Sequence, residues 1–139
     1  VPAPLHGRGA DRRALDALVQ QQREAFPRIL RELEKREGKK SHWIWWACPT
    51  EMPGHCDPSG SYVTKDTAAE ALTSESADLW RQVLEKICDL LEAKGMKVLP
   101  RIDHGRVHHF VKFWSEVPDK PEWMSSVLKR FSAFDWPPR

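Results

Sequence analysis

Long apolar runs are missing from this chain of 139 residues: no stretch approaches the roughly 18 apolar residues of a membrane-spanning helix. The chain is therefore expected to be soluble, or at most peripheral to a membrane. Cysteine is scarce, with only Cys48, Cys56 and Cys88, and an odd number suits a reducing compartment better than a disulfide framework. Free thiols are the expectation. A Cys48–Cys56 bridge is the alternative, because the proline- and glycine-rich stretch between them can bring the two together. An excess of one charge is also missing. Lys and Arg number 22 against 20 Asp and Glu, and a net charge of +2 carries no specific nucleic-acid signal. No internal repeat, Gly-rich phosphate loop, G-x-S-x-G or C-x-x-C occurs. The chain opens on Val1 in place of Met, so a trimmed or processed N-terminus is expected, and VPAPLHGRG has no apolar centre of a secretory signal. A cytoplasmic or organelle-matrix location follows as the expectation.

What is present is a helical pattern. A chain of this length, 40% apolar and 30% charged, buries one core and makes one domain. Residues 1–10 hold two prolines and two glycines and read as a flexible N-terminal arm. Asp11 is placed to cap a helix carrying Leu15, Leu18 and Val19 to about Glu24, and Pro27 predicts a new or kinked helix with Phe26, Ile29, Leu30 and Leu33 on one side, ended by Gly38. Pro49, Pro53, Gly54, Pro58 and Gly60 exclude regular structure and predict an ordered loop or lid. Thr64 or Asp66 suits the cap of a short helix through TAAEAL. Ser76 or Asp78 opens the strongest helix, in which Leu79, Val83, Ile87, Leu90 and Leu91 form a stripe widened by Trp80, Leu84 and Cys88 and closed by Gly95. Met96, Val98 and Ile102 alternate like a short strand, whereas Val107, Phe110, Val111 and Trp114 fall at helical spacing and predict a helix from about Asp103 to Trp114. A last helix places Trp123, Val127 and Phe131 inward, and 132–139 is a tail whose Trp136 either docks or stays exposed. The fold class is mainly α: one compact helical domain over 11–131, of about six helices, with the Pro/Gly-rich loop.

Two clusters carry the chemistry. KKSHWIWWACP holds His42, Trp43, Trp45 and Trp46, and neither a helix nor a strand can turn all three rings into one core. One reading makes two rings core and the third a cover over the loop. The other makes one ring a stacking wall for a base or another planar ligand. The second cluster, RIDHGRVHHFVKFW, groups Arg101, Asp103, His104, Arg106, His108, His109 and Lys112. His104 and His108 have zinc-compatible spacing on a helix, but Gly105 stands where H-E-x-x-H needs its glutamate, so no metal is expected. Arg106 offers a planar fork for phosphate or carboxylate, with Lys112, His108 and His109 as further donors. The structural alternative pairs this basic face with Glu85, Asp89 and Glu92 of the preceding helix.

ALDALVQQQREAFPRILRELEKREGKKSHWIWWACP resembles the opening of the bacterial family known as domain of unknown function 1810, in which a Gln-rich helix and a basic turn precede an S-H-W-x-W-aromatic-x-x-P motif. Ser41, His42, Trp43, Trp45, Trp46 and Pro49 match that motif. The similarity runs over about residues 14–131, while EMPGHCDPSGSYVTK has a composition of its own and His108 and His109 depart from the pattern. The resemblance implies a compact, largely helical domain and no settled activity.

The leading functional expectation is a binding module for a phosphorylated or nucleotide-like small molecule, formed by His42, Trp43, Trp45, Trp46, Arg106, His108, His109 and Lys112. It needs no cofactor, and its partner is an anionic small molecule. An interaction subunit that docks on a protein partner through exposed Trp, the arm and the tail is the alternative. A small hydrolase or transferase using Asp103 and a histidine such as His42 is a further one.

Overall fold

The computed structural model describes residues 5–36, 38, 41, 43–51 and 62–137, with side chains from residue 9 onward. Six α-helices follow one another among them: α1 (Leu5–Arg36), α2 (Ile44–Ala47), α3 (Ala68–Leu72), α4 (Ala77–Lys94), α5 (Arg101–Ser115) and α6 (Glu122–Phe131), with a 3-10 turn at Met96–Val98 between α4 and α5. No strand occurs among the described residues, so the mainly α single domain expected from the sequence is the fold. The proline-rich residues 52–61, on which the ordered-loop expectation falls, lie outside the described residues.

α4 is the centre of the packing because its apolar face is the widest. Trp80, Val83, Leu84, Ile87, Cys88, Leu90 and Leu91 are all buried, and α1, α2 and α6 pack around it. Its N-terminus falls after Ser76, and Gly95 ends it with φ 88, a left-handed value that glycine adopts without a Cβ penalty. Thr64 leads into α3 by exchanging hydrogen bonds with Thr67: each backbone N–H reaches the other's hydroxyl, at 2.9 and 3.2 Å.

Three expectations change, and the alternative left open for Trp136 is decided. α1 starts at Leu5, so residues 5–10 belong to a helix and not to an arm. α1 also runs unbroken through Pro27. A proline inside a helix costs about 3 kcal/mol, but Ala25, Phe26 and Ile29 on both sides of it are buried against the common core, and that burial favours continuity. The tail does not end at the last helix. Trp136 is buried in the core cluster and its indole N–H donates to the Phe131 carbonyl at 2.8 Å. The alternation at Met96 and Val98 belongs to the 3-10 turn and not to a strand.

Candidate functional site

The tryptophan segment 43–50 is a strap laid across three helices. α2 is a single turn, so most of its carbonyls have no partner within the helix. Long side chains supply the donors. Gln22 Nε2 of α1 donates to the Trp46 carbonyl at 2.8 Å, Trp80 Nε1 of α4 to the Ala47 carbonyl at 2.8 Å, and Trp114 Nε1 of α5 to the Pro49 carbonyl at 2.8 Å. Gln22 is itself held by the hydroxyl of buried Ser76. At the end of the strap Arg106 Nη1 donates to Thr50 Oγ1 at 2.7 Å, and the Val63 amide donates to the Thr50 carbonyl at 3.1 Å. Thr50 is thus tied both to Arg106 of α5 and to Val63.

The three rings part company, as the periodicity requires. Trp43 is in the core with its Nε1 on Glu32 Oε2 at 2.8 Å, and Glu32 also accepts from the Ser41 hydroxyl and amide. That ring is part of the packing and forms no surface wall. Trp45 and Trp46 are half-buried, with centroids 5.7 Å apart edge to face. The Trp46 indole N–H is buried and has no hydrogen-bond partner among the described residues. His42 lies outside the described residues.

The basic cluster divides into an inner and an outer side of α5. Asp103 and His104 face inward and are buried. His104 Nε2 lies 3.2 Å from the Met96 carbonyl and 2.9 Å from that of Leu99; both are acceptors, so this nitrogen carries the proton. Its ring meets Trp136 edge to face at 5.0 Å. His108 Nδ1 donates to the Trp136 carbonyl at 3.0 Å. These two histidines hold the tail and the 3-10 turn. They do not share a ligand-facing side, and among the described residues no group of three potential metal ligands occurs. Cys56, the other half of the alternative Cys48–Cys56 bridge, lies outside the described residues; Cys48 and Cys88 are buried.

The outer side carries Arg106, half-buried, and His109 and Lys112, exposed. Burial pushes the Arg106 guanidinium below its ordinary value. His109 is also lowered, first by burial and then by the positive field of His108, Lys112 and Arg106. The pairing of this face with the acids of α4 is overturned for Asp89 and Glu92, whose carboxylates meet Arg130 of α6 instead. Arg106 of the basic cluster therefore touches the end of the strap at Thr50. A groove of about 390 Å³ lies elsewhere, floored by Leu15 and Val19 of α1 and flanked by the Arg12–Glu70 and Arg23–Glu75 ion pairs at 2.7 and 2.8 Å.

Sequence reasoning missed Gln22 and Thr50 and left the docking of Trp136 open. Gln22 was legible, because it occupies a core position of the series Leu15, Leu18, Gln22, Ala25 and Ile29. Thr50 and Trp136 carry no local signal. The expectation of exposed Trp also changes: among the described residues the exposed large hydrophobic side chain is Ile102, at 87%.

Fold and strap together define a class, a small helical domain whose aromatic segment is bound into its core by side-chain donors. The chain belongs to the family described as "Protein of unknown function (DUF1810)", whose model matches residues 12–135 and so takes in the strap, α3 to α6 and α1 from residue 12 onward. No curated protein and no solved structure matches it.

Proposed function

We propose that the protein is a binding module for a phosphorylated, nucleotide-like small molecule, with Arg106, His109 and Lys112 of α5 receiving the anion and the half-buried Trp45–Trp46 pair adjoining it. The observation that carries this reading is the Arg106–Thr50 hydrogen bond of 2.7 Å, which joins the cationic side of α5 to the end of the aromatic strap. Two further facts support it. The positive groups of this side act together on His109, and the carboxylates of Asp89 and Glu92 are engaged by Arg130. A partly desolvated guanidinium makes stronger charge-assisted hydrogen bonds than one in water.

The test is a thermal-shift screen with ATP, sugar phosphates and pyrophosphate, followed by titration of variants against whichever compound raises the melting temperature. Arg106→Ala and Lys112→Ala are each expected to weaken binding, Arg106→Ala by about ten- to a hundredfold, the loss of one charge-assisted contact. Thr50→Val serves as the control, since it removes the internal hydrogen bond and keeps the cation. No shift with any of these compounds at millimolar concentration would refute the reading.

A further inference from the structure

We infer that the corner where α4 turns into α5 is a docking surface for an anionic lipid bilayer, with Ile102 as its apolar tip. The corner is built outward from a rigid base. Gly95 reverses the chain with φ 88, Val98 and Leu99 are buried beneath, and His104 clamps the Met96 and Leu99 carbonyls from one ring nitrogen. Pro100 and Arg101 stand exposed on this base, and Ile102 is 87% exposed. A side chain so apolar on a scaffold so firmly held does not fold back into the core.

Positive charge lies at the same end as the tip. Gly38, just past α1, is buried close to the Val98 backbone: a Cβ added there would lie 3.3 Å from the Val98 carbonyl oxygen. This contact brings Lys35 and Arg36, the last residues of α1, to the same end of the molecule as Lys97 and Arg101. Residues 33–36 and 96–102 hold these four exposed bases against one exposed acid, Glu34. Bases at the same end as a protruding aliphatic group complement a bilayer of anionic headgroups, which offers negative charge at its surface and hydrocarbon just beneath. Nucleic acid would meet the bases equally well but gains little from an aliphatic tip.

The test is co-sedimentation of the full chain with phosphatidylcholine vesicles, alone or with about one part in three phosphatidylserine. Binding is expected only with phosphatidylserine, and it should weaken as salt is raised. Lys97→Ala and Arg101→Ala should each weaken it about fivefold, and Ile102→Ser about three- to tenfold. All three positions are exposed, and an unchanged melting temperature would verify that each variant folds. Three results overturn the proposal: no binding to phosphatidylserine vesicles at low salt, equal binding to phosphatidylcholine alone, or binding that depends on Lys97 and Arg101 but ignores Ile102→Ser. The last, together with comparable retention of a short DNA duplex, would assign the corner to polyanions in general.

Discussion

Arg130 of α6 meets Glu92 of α4 fork to fork, Nε on Oε2 and Nη2 on Oε1, both at 2.8 Å. The guanidinium also reaches Asp89, so one residue of the last helix engages two carboxylates of the central one. The hydrogen bonds from Arg130 hold the Glu92 carboxyl below its ordinary value of 4.5. A carboxyl depressed in the folded state stabilises fully above its unfolded value, and that stability is lost as pH falls through the folded value. We expect wild type and Arg130→Ala to differ in urea midpoint at neutral pH and to converge in acid well below 4.5. Added salt should shrink the neutral difference, because the carboxylates are exposed. A gap of equal size at both pH values would mean that packing of the Arg130 stem is what matters.

The core of α4 provides a second prediction. Leu84 and Ile87 are each 0% exposed, and truncating either to alanine leaves a cavity that a close-packed interior fills only in part. Each substitution should cost about 2–5 kcal/mol in denaturant unfolding. Unchanged midpoints for both would remove α4 from the centre of the fold.

A third prediction concerns the indole donors. Trp114→Phe and Trp80→Phe keep a ring in place but leave the Pro49 or the Ala47 carbonyl without its donor. Each should lower stability by about 1–3 kcal/mol beyond what the smaller ring accounts for. Stability curves for these variants beside Trp123→Phe, a half-buried ring that packs on Trp80 at 5.7 Å, give the comparison.

Thiol reactivity is the fourth. Burial pushes the Cys88 thiol up to about 12, and Cys48 is 0% exposed. Neither should react with a thiol reagent in the native protein near neutral pH, and both should react once denaturant opens the core. Rapid native labelling of Cys88, located by peptide mass, would contradict its placement.

The sequence made the helices legible wherever an apolar stripe was long enough to average over single exceptions. α4 and α5 lie within two residues of the bounds read from periodicity, because each buries one continuous face. At Pro27 the local signal allows either a new helix or a kinked one, and the burial of Phe26 and Ile29 that keeps α1 a single helix is tertiary. The last helix was legible as an element but not in register. Trp123 was expected inward, yet Met124 and Leu128 join Val127 and Phe131 in the core and leave Trp123 half-buried. Of the candidate site, either periodicity shows that the three rings cannot enter one core, but not which of them does: Trp43, just before α2, is buried, while Trp45 and Trp46 pack on each other. That Thr50 would meet Arg106, or that His104 and His108 would hold Trp136, depends on pairs up to 56 positions apart, for which no local pattern exists.

The strap has a consequence for how the domain assembles. Its donors lie 24, 33, 56 and 65 positions away along the chain, so it gains nothing from any helix folding alone. Its carbonyls are satisfied only when α1, α4 and α5 have met, and losing any one of the three bares acceptors inside apolar surroundings. Helix pairs held only by apolar faces can slide and loosen gradually; a cross-tie of this kind makes such loosening costly from the first step. The expected result is an all-or-none transition whose rate is set by long-range encounter more than by helix formation.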